Sequence, residues 1–188
     1  MMISAVYDAC VLYSASLRDF LLSLVAPELV FPFWSEEIRE EWIRSLLRNR
    51  PDLKRENLER TRRKMDAHFP RSLVRGYEPI IPMLTLPDPD DRHVLAAAIK
   101  AGAKYIVTFN LKHYPKTTLQ AYGIEAVSPD DFVFRLIQRK SPPVLQAAKT
   151  HRLRLTRPPK TVDEYLTTLE KQGLPKTVAF LREHKDDL

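Results

Sequence analysis

Apolar and polar positions follow two rhythms along this chain, and the changes of rhythm mark out its strands and helices. Ile3-Ser4-Ala5-Val6-Tyr7 is a short β-prone run that stops at Asp8. From Val11 to Val25 the apolar residues Leu12, Leu17, Phe20, Leu21 and Leu24 recur at helical spacing, and Pro27 ends the helix. Ser35 reads as the N-cap of a helix reaching about Arg48, with Ile38, Trp42 and Leu46 four apart as its buried stripe and Glu41 at the margin. A basic helical segment follows from Asp52 to about Phe69, in contact through Leu58, Met65 and Phe69. After Gly76 the prolines at 79 and 82 predict extended chain.

The clearest pattern lies further on. Val94-Leu95-Ala96-Ala97-Ala98-Ile99 predicts a buried helix closed by Gly102 as the C′ residue. Lys104 to Phe109 is a near-continuous apolar strand of the kind covered on both faces, and Ile124-Glu125-Ala126-Val127 is one more. Ser128-Pro129-Asp130-Asp131 opens another helix with an N-cap serine, a proline and two acids in the first turn. Helix, glycine and buried strand make half of a βαβ unit, so the fold class is α/β with a parallel sheet. Toward the C-terminus, Thr161-Val162-Asp163-Glu164 is a capping box for a helix carrying Tyr165, Leu166 and Leu169, and Gly173-Leu174-Pro175 separates it from a last helix.

Composition refines this picture in two ways. A length of 188 residues with 44% hydrophobic content suits one compact domain with an appendage, and excludes a disordered chain. The single cysteine, Cys10, excludes an internal disulfide and, with no run of membrane-spanning length and no secretory start, predicts a cytoplasmic protein. Charge is segregated beneath the net +6: residues 44–75 carry 11 Lys/Arg against 4 Asp/Glu, residues 135–160 carry 8 against none, and the remainder sums to −9. Each basic segment alone reads as a solvated helix face; together with a separate acidic cluster they suit a polyanion-binding protein that does chemistry on its ligand.

The candidate chemistry centres on Leu86-Pro87-Asp88-Pro89-Asp90-Asp91, a proline-stiffened loop that hands over to the Ala-rich helix. Asp90 or Asp91 is placed to cap that helix. Asp8 stands at the carboxyl end of the first strand, where ligand crevices form in open parallel sheets, or else it is a buried aspartate that caps the next helix. Thr108, Asn110, Lys112 and His113 follow the buried strand in the same kind of position.

Asp8 after strand one, Ser35-Glu36-Glu37-Ile38-Arg39-Glu40-Glu41 on a helix, Asp88-Pro89-Asp90-Asp91 before an Ala-rich helix, and Val107-Thr108-Phe109-Asn110-Leu111-Lys112-His113-Tyr114-Pro115 after a strand form an ordered set. In that order the chain resembles the PIN-domain family, and within it the VapC-type toxins of toxin–antitoxin modules, over roughly residues 1–140. Residues 141–188, with Arg157 to Leu166 and Gly173 to Lys176, are similar to the helical C-terminal extension of a subset of that family. The resemblance implies a three-layer α/β/α domain at 1–140, a helical extension at 141–188, and a Mg²⁺- or Mn²⁺-dependent endoribonuclease. It places Asp8, Glu41 and Asp91 at the metal, with Asn110 as a fourth catalytic position and Thr108 supporting it. Glu40 is the alternative to Glu41, and Asp88 and Asp90 fall to loop-shaping or outer positions. Arg60, Arg62, Arg63, Lys64, Arg152 and Arg154 are the candidate RNA contacts. The implied partners are RNA, a cognate antitoxin and a second copy of the chain. Cys10, Asn110 and His113 depart from the Asn, Asp and Asp common in the family, and a non-catalytic PIN-fold module that binds RNA or protein is the alternative they support.

Overall fold

The computed structural model describes residues 2–188. The chain forms two compact units: one takes Ser4–Tyr13 and Phe31–Val127, the other residues 2–3, Ser14–Val30 and Ser128–Leu188. In chain order the elements are β1 (Ile3–Tyr7), α1 (Ala9–Leu12), α2 (Ala15–Ser23), β2 (Val30–Ser35), α3 (Glu36–Asn49), α4 (Arg55–His68), β3 (Leu73–Val74), α5 (Arg92–Ala101), β4 (Tyr105–Val107), α6 (Lys116–Gln120) and β5 (Glu125–Val127). The helices α7 (Pro129–Arg139), α8 (Ser141–Arg154), α9 (Val162–Lys171) and α10 (Pro175–Glu183) complete the chain. Among the described residues, the strands make one five-stranded sheet in the order β3-β2-β1-β4-β5. This parallel sheet with flanking helices is the expected PIN-like α/β/α architecture with C-terminal helices.

The order places β1 between β2 and β4, so successive connections leave β1 in opposite directions. That reversal opens a crevice at the carboxyl ends of the two strands. Register pins it: Val6 pairs with Ile106 and Tyr7 with Val107, so Asp8 and Thr108 are the residues that emerge side by side. β1 is buried at Ile3 and from Ala5 to Tyr7, and β4 from Tyr105 to Val107, which anchors this edge in the core. α5 is buried from His93 to Ala98, and Gly102 ends it at φ 61°, a left-handed conformation that a side chain would strain.

Two local expectations are corrected, and one strand was not predicted. The helix predicted from Val11 to Val25 is broken into α1 and α2, with Ser14 starting the second piece at extended φ/ψ. The stretch after Gly76 is a 3₁₀ turn over Glu78–Met83 and not extended chain; the fixed φ of proline suits both, and bonds such as Ile80 N–H to the Tyr77 carbonyl at 2.9 Å decide between them. β2 carries Pro32, which conceals a strand in the sequence. The proline is tolerated because β3 pairs only with Trp34 and Ser35, leaving the start of β2 without a partner on that side.

In the second unit the capping box at Thr161 and Glu164 forms as predicted, with both reciprocal bonds present. α10 has no capping side chain at Leu174. Instead Asp130 of α7, only 5% exposed, accepts the backbone N–H groups of Lys176 and Thr177, each at 2.9 Å. A first-turn acid of one helix therefore caps another. Each such bond to a buried carboxylate contributes about 1.5–3 kcal/mol. Asp130→Ala is expected to lower stability by roughly 2–4 kcal/mol in denaturant unfolding, and Asp130→Asn, which keeps one acceptor, by less.

Candidate metal centre

Asp8 is 3% exposed and its two oxygens divide the work. Oδ1 accepts the Ala9 N–H at 2.7 Å and so starts α1. Oδ2 accepts from the Thr108 hydroxyl at 2.7 Å and, more weakly, from the Cys10 thiol at 3.4 Å. The helix-capping and site-facing readings of Asp8 are thus both met by one side chain. Burial pushes the Asp8 carboxyl up; the bonds from Thr108, Cys10 and Ala9 oppose this, and the charge of Glu41 adds to it. Burial also pushes the Cys10 thiol up to about 12, so it remains a neutral donor.

Thr108 is fully buried and fixed from two sides, donating to Asp8 and accepting the Asn110 N–H at 3.0 Å. Asn110 contributes that backbone N–H; its side chain is exposed and makes no hydrogen bond among the described residues. The loop is thereby tied to β4 through the peptide of Asn110.

The acidic turn gives its three aspartates different tasks. Asp88 caps it, its Oδ1 accepting the Asp90 N–H at 3.0 Å. Asp91 occupies the N-cap position of α5 without a capping bond from its side chain. Its Oδ2 instead lies 2.7 Å from His113 Nδ1, which is also 3.7 Å from Asp88 Oδ2. Ligand atoms of Asp88, Asp91 and His113 all lie within 4.8 Å of one another, a spacing that one cation spans. Burial pushes the Asp91 carboxyl up, the His113 bond opposes it, and the charges of Asp88 and Glu41 add to it. Asp90 points to a side cavity.

α3 brings the glutamate. Its buried face carries Ile38, Arg39, Trp42 and Ile43. One face over, Glu41 Oε2 lies 3.4 Å from His93 Nε2, and Glu37 Oε2 lies 3.8 Å from His93 Nδ1. Glu40 turns the other way, into an ion pair with Arg55. Glu41 is therefore the glutamate that raises the carboxyls of both Asp8 and Asp91. Burial of His93 favours its neutral form, but the hydrogen bond and charge of Glu41, with the charges of Glu37 and Asp8, outweigh it and raise the imidazole. The same carboxylates converge on Tyr114, whose hydroxyl is buried without a hydrogen bond and is pushed well up by burial and by Asp8, Asp91, Cys10 and Glu41.

Sequence reasoning missed Glu37, His93 and Tyr114 and left His113 without a role. The signals were present: Glu37 and Glu41 are four apart on one helix face, His93 follows Asp91 by two, and Tyr114 adjoins His113. The carboxylate oxygens of Asp88 and Asp91 suit a hard divalent cation such as Mg²⁺ or Mn²⁺, whereas the imidazole of His113 is a ligand for softer divalent metals. A cation held by Asp91 also relieves the burial cost and the repulsion from Asp88 and Glu41 that raise its carboxyl.

The proposed RNA contacts stand as follows. Arg60, Arg63 and Lys64 are exposed on α4 and make no ion pair among the described residues. Arg62 pairs with Glu36 at 2.9 Å and with Glu59 at 3.5 Å. In the C-terminal unit Arg152 donates to the carbonyls of Lys160 and Leu188 at 3.0 and 3.2 Å, while Arg154 is exposed.

The hydroxyl of Thr108 fixes one oxygen of Asp8 toward the crevice. Thr108→Val keeps the shape and removes that bond, and it is expected to weaken Mn²⁺ binding about tenfold or more in a calorimetric titration.

A PIN domain family model matches residues 4–112, and a VapC50 C-terminal domain model matches residues 129–183. A protein of Mycobacterium tuberculosis (strain ATCC 25618 / H37Rv) named "Putative ribonuclease VapC50" is 58% identical over 43 residues, 23% of this chain and 25% of that relative. The match thus spans about a quarter of the relative's own length. No solved structure matches the chain. With more than half of its residues under the PIN model and the strand order in place, the chain belongs to the PIN-domain family.

Proposed function

We propose that this protein is a Mg²⁺- or Mn²⁺-dependent endoribonuclease and the toxin of a type II toxin–antitoxin module. The observation that carries the reading is electrostatic: Glu41 acts on both Asp8 and Asp91, and Asp91 shares His113 with Asp88, at the switch point of the sheet. The similarity to a relative named as a ribonuclease supports the choice of RNA as substrate. The nuclease part is assigned to residues 1–140 and the helical extension to 141–188, so every acidic residue of the site belongs to the former.

When bound, the cation supplies a water of lowered pKa and offsets charge on the attacked phosphate. Asp8 and Asp91 are its assigned ligands. Glu41, half-exposed beside His93, orients the attacking water and receives its proton. The water oxygen bonds to phosphorus, the bond to the 3′ oxygen breaks, and that oxygen takes a proton from bulk water to leave as a 3′ hydroxyl, while the proton held by Glu41 returns to solvent. Thr108 keeps Asp8 in place through its hydroxyl, and the peptide of Asn110 holds Thr108. Arg60, Arg63, Lys64 and Arg154 meet backbone phosphates, so affinity falls as salt rises. A cognate antitoxin, a homodimer and a cytoplasmic setting belong to the same reading; no helix among the described residues is long and apolar enough to cross a membrane.

A second reading, a PIN-fold module without catalysis, is favoured by one observation: His113 already engages the Asp91 oxygen that would face a cation. A Mn²⁺ titration separates the two. Saturable binding supports the nuclease, and none with or without RNA supports the module. Asp91→Asn is expected to lower Mn²⁺-dependent RNA cleavage at least a hundredfold while the circular dichroism spectrum stays unchanged. Cleavage at the parent rate overturns the assignment.

A further inference from the structure

Beside Glu41 lies a cavity of about 370 Å³ lined by Glu37, Glu41, Arg44, Ile81, Pro89, Asp90 and His93. This is within the size of small-molecule sites, roughly 300–1,000 Å³. Glu37, Glu41 and Arg44 come from one face of α3, at spacings of four and three. Glu41 is the wall shared with the carboxylate cluster, so whatever fills the cavity adjoins the phosphate placed there.

We propose that this cavity is a nucleobase subsite and that it selects guanine next to the cleaved phosphate. The proposal rests on the nuclease reading for its place in the reaction, but not for its binding chemistry.

Two other occupants fit poorly. Three carboxylates repel a phosphate. For a second cation, the group of acidic and imidazole ligand atoms within a metal's span among the described residues is Asp88, Asp91 and His113, none of which lines the cavity. A base is uncharged, flat and edged with donors and acceptors. Ile81 and Pro89 give apolar surface for its ring faces, and the polar residues are left for its edges.

A further sign of a missing ligand is His93. It is 6% exposed, lines the cavity, and its Nδ1 makes no hydrogen bond, with Glu37 Oε2 at 3.8 Å. A buried polar atom is normally satisfied, so an unsatisfied one on a cavity wall marks a place for a polar ligand.

The choice of base follows from the edges. The Glu37 carboxylate makes no hydrogen bond among the described residues, so it offers two acceptors side by side. Guanine alone presents two adjacent donors on its Watson–Crick edge, N1–H and the N2 amine. Adenine and cytosine set one amine beside a ring nitrogen whose lone pair faces the carboxylate, and uracil sets one N–H between two carbonyls. Arg44 is exposed and makes no ion pair among the described residues, leaving its guanidinium to donate to guanine O6 and N7, the common arginine contact to that base.

The test uses inosine, which lacks only the N2 amine. In calorimetric titrations with Mn²⁺ present, GMP is expected to bind the full chain about tenfold or more tighter than IMP, AMP, CMP or UMP. Glu37→Gln, on a side chain 53% exposed, should bring GMP to the level of IMP without changing the circular dichroism spectrum. In cleavage of short RNAs, replacing the guanine at the cut by inosine should lower the rate about tenfold in the parent, with the ratio falling toward one in Glu37→Gln. Equal binding of GMP and IMP, or a base preference that Glu37→Gln leaves intact, overturns the subsite. An RNA that is not cut while GMP binds selectively through Glu37 overturns the nuclease reading and leaves the subsite standing.

Discussion

The structure depends on holding like charges together at one edge of a sheet. Asp8 is almost wholly out of water, and nothing cationic touches it; its carboxylate is held by a hydroxyl, a thiol and a peptide N–H. Glu41 raises it further, and also raises Asp91. Such an arrangement destabilises a folded protein unless the surrounding backbone over-determines it. Here the parallel pairing of β1 with β4 does so, because it puts Asp8 and Thr108 in adjacent positions that no side-chain rotation changes much.

The helices then divide between support and presentation. α3 shows this within one element. Trp42, Ile38 and Ile43 anchor it, and the buried Arg39 reaches Glu36 of its own first turn and Asp66 of α4. That fork secures two helices with a single guanidinium and leaves Glu37 and Glu41 on a neighbouring face to meet His93. α5 contributes through its beginning: the alanines bury it, and Asp91 and His93 are carried to the crevice on its first turn. The alanines suit this task because their small side chains let α5 be buried from Val94 to Ala98.

The basic residues follow the same economy. Of those that give the chain its positive surplus, Arg62 and Arg152 are engaged in internal contacts, while Arg60, Arg63, Lys64 and Arg154 face solvent. A count of charges in sequence cannot distinguish these two fates, since an arginine that fastens a helix end and one that meets a phosphate are the same residue type at similar spacing.

Much of the fold is decided by local pattern alone. The Ala-rich helix closed by Gly102, the apolar runs at β1 and β4, the Ser128 cap and the Thr161–Glu164 box are written in spacings of two, three and four residues, which backbone geometry converts directly into strands, helices and caps. The identity of Asp8, Glu41, Asp91 and Thr108 as residues at strand ends and helix faces is legible in the same way. What the sequence by itself leaves open is every choice between near-equal neighbours: Glu40 against Glu41, or Asp88 against Asp90 and Asp91. Those are decided by packing, since the rotation of α3 about its buried stripe aims Glu41 at His93 and Glu40 at Arg55. The partnership of His113 with Asp91, 22 residues away, and of Thr108 with Asp8, 100 residues away, exists only after the sheet assembles. Contacts of that range depend on register and strand order, which no window along the chain contains.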